Sequence, residues 1–193
     1  MIILEIKSIR EARITLSLIT INLVLFFTLN NPIYIEYFYN LVLINSNVID
    51  QFEIWRLLTS MFMHGDLSHL ISNMFGLLLF GTYVEQSISK VKYLFIYIIS
   101  GLIGNIFTLI LYPSYIISYG ASGALFGIIG VVVVIIYFEG DQFFLILATL
   151  YLLYFIASSF GPGINLWAHL FGLASGSIFA SVNHFLEKKN PMK

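Results

Sequence analysis

The sequence predicts an all-α, polytopic membrane protein: a bundle of six transmembrane helices with both termini in the cytoplasm. Of its 193 residues, 59% are hydrophobic and only 10% are charged, and the mean hydropathy is +0.93. Soluble domains carry about a quarter of their residues as Asp, Glu, Lys or Arg, so this chain has too few charges to cover a soluble globule. Apolar stretches of nearly the length that crosses a bilayer, about 20 residues, also recur along the chain.

Six apolar runs are separated by turn or charge signals. They cover residues 13–30, 67–85, 93–112, 121–138, 143–160 and 164–185. The intervening signals include Asn30-Asn31-Pro32, Glu139-Gly140-Asp141 and Gly161-Pro162-Gly163. No small-residue cleavage site precedes Asn30, so we expect the first run to remain as a span. Without a linker, repeat or low-complexity stretch, residues 1–193 are predicted to form a single membrane domain.

The placement of basic residues predicts the orientation. If the six runs alternate in direction, eight of the nine Lys and Arg residues fall on the side of the termini, and only Arg56 falls on the other. The positive-inside rule then places both termini in the cytoplasm of a multi-pass cell membrane protein. Residues 31–66 form a long outer loop that is apolar enough to lie in the membrane interface.

The composition also excludes several classes of function. It excludes an ordinary cytosolic enzyme and a disordered chain, because both need more polar residues than this chain has. It also excludes a nucleic-acid binder, which needs a basic face. The lipid bilayer is the predicted environment, and nucleic acid is not a predicted partner. Because cysteine is absent, disulfides, thiolate metal sites and a cysteine nucleophile are excluded as well.

Polar residues recur at one depth of the predicted bundle. The second, fourth and sixth runs begin at the outer face, and their first turns contain His69 and Asn73, Ser122, and His169. Polar groups inside a bilayer are costly unless they are paired, so each of these four residues is a functional candidate. His69 and Asn73 are four residues apart, and on a helix they point within about 40° of each other.

Glycine spacing predicts that Ser122 and His169 meet. One face of the fourth run and one face of the sixth lack side chains, which lets two helix backbones approach closely. The glycines that form these faces are Gly123, Gly127 and Gly130 in the fourth run, and Gly172 and Gly176 in the sixth. A neutral imidazole beside a serine hydroxyl can take its proton and activate it as a nucleophile. The first turn of the serine's helix, with unpaired N–H groups, suits an oxyanion.

Other chemistries receive little support. His64 is five residues from His69, about 140° around a helix, so the two form a poor metal pair. A His-Glu-x-x-His signature is absent, and no aspartate lies inside a run to form an aspartyl dyad. No metal and no cofactor is predicted. Taken singly, such glycine spacing usually reflects helix packing, and a serine in a membrane helix usually bonds to its own helix. The combination of a serine and a histidine on glycine-faced helices, with donors from a third helix at the same depth, favours catalysis.

From about Trp55 to Gly176, the sequence resembles the rhomboid family of intramembrane serine proteases. The resemblance is carried by Trp55-Arg56, the series His64…His69…Asn73, Gly120-Ala121-Ser122-Gly123 with its downstream glycines, and Ala168-His169. It implies a nucleophile at Ser122 and a general base at His169. It further implies that His69, Asn73 and the Ser122 backbone N–H hold the oxyanion.

The resemblance also implies supporting roles. His64 would tie the outer loop to the second span, Trp55 and Arg56 would shape that loop, and Glu85 would be structural. Phe126 stands where many members place a tyrosine that packs on the catalytic imidazole, and phenylalanine can still stack.

The expected function is therefore hydrolysis of transmembrane segments of other proteins near the outer face, with a small residue before the cut. Lateral access between the second and fifth spans, near Phe143, Phe144 and Tyr151, rests on the resemblance. A non-catalytic rhomboid-like protein that binds or escorts transmembrane segments is the alternative, although such relatives generally lack the serine or the histidine. A solute transporter is disfavoured, since few polar residues continue into the inner halves of the spans.

Overall fold

The computed structural model describes residues 6–139, 142–158 and 164–189. Helices dominate these residues, and one short antiparallel pair of strands accompanies them. The all-helical prediction is confirmed for this part of the chain. Gly140, Asp141 and the turn Gly161-Pro162-Gly163, which the sequence places between spans, lie outside the described residues.

Each of the six apolar runs corresponds to a helix. The first is α2 (Arg13–Leu29), which the short α1 (Ile6–Glu11) precedes, and the second is a continuous helix over Leu67–Ser87. The second helix comprises α6 (Leu67–Gly76), a π-helical turn (Leu77–Gly81) and α7 (Thr82–Ser87). The remaining four are α8 (Lys90–Leu111), α9 (Ser122–Glu139), α10 (Gln142–Ser158) and α11 (Leu166–Lys189).

Length and hydropathy alone identify fewer crossings than six. Among the described residues, Leu67–Ser87 and Lys90–Leu111 are long and apolar enough to cross a membrane. A third crossing results if α2 is joined to the segment Pro32–Leu41, from which it is bent by 96°. The apolar parts of α9 and α10 are shorter. The apolar helices support a membrane protein, whereas six crossings and cytoplasmic termini stay predictions.

Helix α9 forms the centre of the bundle and packs against α8, α11 and α10. Its contact with α11 is a backbone-to-backbone contact. A Cβ added to Gly172 would lie 2.1 Å from the carbonyl oxygen of Gly123, and one added to Gly176 would lie 1.9 Å from that of Gly127. Only a residue without a side chain fits at these two positions of α11. Gly123 differs, because a Cβ added there would make ordinary contacts of 3.5 Å or more.

The loop of residues 31–66 is folded into short elements. They are a 3-10 turn (Pro32–Tyr34), α3 (Ile35–Leu41), β1 (Leu43–Ile44), α4 (Asn45–Gln51), α5 (Arg56–Thr59) and a second 3-10 turn (Ser60–Phe62). Strand β1 pairs with β2 (Ile117–Ser118), with Leu43 opposite Ser118. This pairing attaches the loop to the segment that leads into Ser122.

Buried Arg56 holds the loop together from within. Its guanidinium donates to the backbone oxygens of Tyr39, at 2.6 Å, and Val42, at 2.8 Å, and also pairs with Glu53. The indole of half-exposed Trp55 donates to the Asn40 oxygen at 3.3 Å. Cations near a helix C-terminus satisfy its unpaired carbonyls, and Arg56 does this for α3.

Glu85 is buried at the other end of the second helix. Its carboxylate accepts from the backbone N–H groups of Ile14, at 3.0 Å, and Thr15, at 2.8 Å, in the first turn of α2. The residue in the N-cap position of α2 is Ala12, which has no capping side chain. Glu85 therefore caps α2 from a distant part of the chain, and its negative charge suits the helix N-terminus.

Candidate active site

The structure brings Ser122 and His169 into direct contact. Ser122 Oγ lies 2.7 Å from His169 Nε2, and the two residues are 9% and 4% exposed. Ser122 is the first residue of α9, and His169 lies in the first turn of α11. The close contact between α9 and α11 begins near this pair: Gly123 directly follows Ser122, and Gly172 comes three residues after His169. When Nε2 carries no proton, the serine hydroxyl donates to it, which is the arrangement of a nucleophile with its general base.

The imidazole of His169 is held against an aromatic ring. Phe126, fully buried one turn after Ser122, stacks on His169 with ring centroids 4.3 Å apart and an interplanar angle of 9°. Such stacking restricts rotation of the imidazole. The ring is therefore oriented by packing as well as by its contact with Ser122.

The ring of His69 lies next to Gly120, two residues before Ser122. A Cβ added to Gly120 would lie 2.8 Å from His69 Nε2 and 3.8 Å from Ser122 Oγ. The imidazole therefore lies too close to Gly120 for a side chain at that position. Gly120 has φ +126°, a conformation that favours glycine. The position is thus required to be glycine for both reasons, backbone conformation and space.

Asn73 is buried one turn after His69 on α6. Its side-chain nitrogen donates to the His69 carbonyl oxygen at 2.8 Å, and its Oδ1 has no hydrogen-bond partner among the residues described. An amide nitrogen carries two hydrogens, so one bond to its own helix does not use up its capacity to donate. The structure therefore keeps Asn73 on the same helix face as His69.

Comparison with known proteins identifies the family. The rhomboid domain family matches residues 51–184, a range that includes Ser122, His169, His69 and Asn73. The chain belongs to the rhomboid family.

Relatives with rhomboid names cover different shares of the chain. It is 35% identical to the rhomboid protein YdcA of Bacillus subtilis over 132 residues, 66% of each chain. RHOMBOID-like protein 6, mitochondrial, of Arabidopsis thaliana is 35% identical over 134 residues, which are 67% of this chain and 43% of the relative. Inactive RHOMBOID-like protein 8, also of Arabidopsis thaliana, is 40% identical over 78 residues, 40% of this chain and 22% of the relative. The match spans less than two thirds of each relative's length.

His64 lies beside this rhomboid site without touching the serine. Its ring packs edge-on against His69, with centroids 4.9 Å apart, and its backbone oxygen accepts from the Asn30 side chain at the end of α2. Burial, and then the neighbouring charge of His69, lower the pKa of His64 to about 3. His64 is therefore neutral at physiological pH and adds no charge to the site.

Asp66 fixes the start of the helix that carries His69. Its carboxylate accepts from the His69 backbone N–H at 2.8 Å and from the Ser68 hydroxyl at 2.6 Å. These bonds, the Ser68 hydroxyl first, lower the pKa of Asp66. A charged N-cap stabilises the first turn of α6, and with it the position of His69.

Asn165 and Asn105 are two residues that sequence reasoning missed. Asn165 caps α11 one turn before His169: its Oδ1 accepts from Ala168 N at 3.0 Å, and its Nδ2 donates to Thr108 Oγ1 and Ser118 Oγ. Asn105 donates to the Ser60 hydroxyl at 3.0 Å, and the Ser60 carbonyl accepts from Gly120 N at 2.9 Å. The only sequence signal was an amide within a predicted span and another at the start of one.

A small cavity of about 20 Å³ lies beside Ser122. Among its lining residues are Met61, Asn105, Ser118 and Asn165. A cavity of this size holds about one water molecule. Trp55, Arg56 and Glu85 make their contacts elsewhere, in the 31–66 loop and at the start of α2. Among the described residues there is no group of three or more His, Asp or Glu side chains that could hold a metal ion.

Proposed function

We propose that this rhomboid family member is an intramembrane serine endopeptidase that cleaves transmembrane segments of other proteins near the outer face of the membrane. The observation that carries the proposal is the 2.7 Å distance between Ser122 Oγ and His169 Nε2 inside an apolar bundle. Ser122 is the nucleophile and His169 the general base.

Acylation follows from this pair. His169 Nε2 takes the proton from Ser122 Oγ as the oxygen attacks the scissile carbonyl carbon, and a tetrahedral oxyanion forms. The imidazolium then gives its proton to the leaving nitrogen, and the carbon–nitrogen bond breaks. Water repeats the sequence on the acyl-enzyme: His169 takes a proton from water, and the serine oxygen leaves with a proton.

His69 and Asn73 are the proposed donors to the oxyanion, together with the Ser122 backbone N–H. The closeness of His69 Nε2 and Ser122 Oγ to the same point beside Gly120, at 2.8 Å and 3.8 Å, supports this placement. Removing one such donor typically lowers kcat by 10²–10³-fold. We expect losses of about that size for His69→Ala and for Asn73→Ala.

The substrate is proposed to be a transmembrane helix that unwinds locally at a helix-weakening residue. The cavity beside Ser122, about 20 Å³, supports a small side chain before the scissile bond. A large aromatic residue at this position of the substrate should therefore reduce cleavage strongly.

Lateral access between α6 and α10 is part of the proposal. The Tyr151 hydroxyl donates to the Ser72 carbonyl oxygen at 3.1 Å and joins the two helices there. The side chains of Phe143 and Phe144 lie outside the described residues. Tyr151→Phe removes the hydrogen bond and keeps the ring, so it should raise the cleavage rate if opening at this point limits access.

The decisive experiment uses a panel of tagged transmembrane segments with purified wild-type, Ser122→Ala and His169→Ala proteins. Both variants should lose cleavage while their unfolding temperatures stay near wild type, and product mass locates the cut. Ser181→Ala on α11 is the matched control and should cleave normally. Cleavage retained by pure Ser122→Ala protein would remove the proposed nucleophile.

The second candidate is a non-catalytic binder or escort of transmembrane segments, and the inactive relative in Arabidopsis thaliana favours keeping it. A serine-reactive fluorophosphonate distinguishes the two. An enzyme should be labelled at Ser122, and labelling should disappear in Ser122→Ala and fall in His169→Ala. A binder should bind a tagged segment without being labelled.

A further inference from the structure

The backbone of Gly120 is fixed by a hydrogen bond to the end of the 31–66 loop. Its N–H donates to the Ser60 carbonyl oxygen at 2.9 Å. Gly120 comes two residues before Ser122, and a Cβ added to it would lie 2.8 Å from His69 Nε2. The position of Gly120 therefore affects two of the proposed oxyanion donors, the Ser122 backbone N–H and His69.

Ser60 is itself held by the amide of Asn105 on α8. Asn105 Nδ2 donates to Ser60 Oγ at 3.0 Å and to the Leu57 carbonyl oxygen at 2.7 Å. An amide nitrogen carries two hydrogens, so these two bonds use both of them. Ser60 and Asn105 are buried, and a buried polar group that loses its partner is costly. The structure thus gives Ser60 a fixed place between α8 and the turn that precedes α9.

These bonds join three separate segments in series. Asn105 binds the hydroxyl of Ser60, and the carbonyl of Ser60 binds Gly120. A shift of Ser60 would therefore move the turn that leads into the nucleophile. Since misplacement of a catalytic group by 1 Å lowers the rate by about 100-fold, a small shift at Gly120 is enough to slow the reaction.

We propose that Asn105 is a positioning residue for the oxyanion site: through Ser60 it sets the position of Gly120, and so of the Ser122 backbone N–H. This inference rests on the proposed function, because it gives Asn105 a role in the same reaction. It predicts that loss of the amide slows the reaction of Ser122 in every folded molecule. A merely structural role would instead leave fewer folded molecules, and these would react at the wild-type rate.

Time courses of fluorophosphonate labelling measure both quantities on the full chain purified in detergent. Asn105→Leu keeps a side chain of similar size and removes both donors. We expect its labelling rate to fall about tenfold, less than the 10²–10³-fold typical when an oxyanion donor is lost outright, while the final labelled fraction stays at the wild-type level. Asn22→Leu is the matched control, because buried Asn22 donates to the Leu18 carbonyl of its own helix, and it should label at the wild-type rate.

Ser60→Ala tests the route from Asn105 to Gly120, and it still does so if Asn105→Leu does not fold. It removes the hydroxyl and keeps the carbonyl that binds Gly120, so it should slow labelling less than Asn105→Leu does. Because both changes act on one route, the double variant should label no more slowly than Asn105→Leu alone. An unchanged labelling rate in either single variant, additive losses in the double variant, or a lower labelled fraction at the wild-type rate would each overturn the proposal.

Hydrogen exchange at the Gly120 amide tests the positioning without catalysis. A backbone N–H exchanges when its hydrogen bond opens, so peptides that contain Gly120 should exchange faster in Asn105→Leu than in wild type and in Asn22→Leu. If the wild-type protein is not labelled at all, the proposed function fails, and this exchange alone then decides the role of Asn105. Equal exchange in the three proteins would overturn that role.

Discussion

The contact of Gly172 with α9 provides the sharpest test of how the site is assembled. In Gly172→Ala, the new Cβ would lie 2.1 Å from the Gly123 carbonyl oxygen, whereas an ordinary contact needs at least 3.4 Å. The two helices must therefore separate by about 1.3 Å at this point, since both contacting groups are backbone and neither can rotate away.

That separation acts directly on the pair of residues next to the contact. Ser122 Oγ and His169 Nε2 are 2.7 Å apart, so moving α11 outward by about 1.3 Å along the same direction takes them beyond hydrogen-bond distance. Misplacement of catalytic groups by 1 Å costs on the order of 100-fold in rate. Overpacking a well-packed core costs about 1–3 kcal/mol. We expect both losses in Gly172→Ala.

The assay combines fluorophosphonate labelling rates with thermal unfolding in detergent for Gly172→Ala and Gly123→Ala. Gly123→Ala adds the same methyl group to the facing helix, but its contacts would be 3.5 Å or longer, so its unfolding temperature should stay near wild type. The reasoning is refuted if Gly172→Ala labels at the wild-type rate, or if the two variants lose the same stability.

Three further predictions concern residues that fix helix ends. Glu85→Gln should destabilise the protein by about 2 kcal/mol in thermal unfolding, because one carboxylate bonds two N–H groups of α2; an unchanged unfolding temperature would refute its capping role. Asp66→Ala should cost about 1 kcal/mol near neutral pH. Folding lowers the pKa of Asp66. The stability difference between Asp66→Ala and wild type should therefore be complete above about pH 5 and disappear as the pH falls through the folded pKa. Asp66→Asn should keep the cap both above and below this pH range. Asn165→Ala should raise the activation free energy for labelling of Ser122 by more than it lowers the free energy of unfolding, since Asn165 holds the start of α11. A loss of stability without slower labelling would contradict this.

Much of the fold could be predicted because bilayers constrain sequences strongly. Apolar runs near 20 residues and the turns between them predicted all six helices, and the described bounds agree within four residues. Membership of the rhomboid family is confirmed by the match over residues 51–184. The spacing of Gly172 and Gly176 predicted a close approach to α9, and the structure has that contact. The catalytic roles of Ser122 and His169 stay predictions.

Other features could not be read from the sequence, because they depend on long-range contacts. The family resemblance implies a structural role for Glu85, but its partners lie 70 and 71 residues away in the chain. Asn105 and Asn165 carry no periodic or motif signal, and their bonds to Ser60, Thr108 and Ser118 exist only once α8 and the neighbouring segments have assembled. A Cβ added to Gly123 would meet Ala168 at 3.5 Å or more, so Gly123 has more space than the other packing glycines, which no spacing rule reveals.

The contacts around His169 show how its imidazole is oriented. In a triad, an acidic side chain fixes the tautomer and direction of the imidazole. In this structure the imidazole is restricted by the stacked ring of Phe126, by the 2.7 Å contact with Ser122, and through the Asn165 cap at the start of α11. The backbone contact of Gly172 then fixes the distance between the two helices. These contacts hold the imidazole in a fixed direction relative to Ser122. We therefore expect Phe126→Leu, which removes the stacking ring and keeps an apolar side chain, to slow fluorophosphonate labelling of Ser122 while Phe126→Tyr retains it.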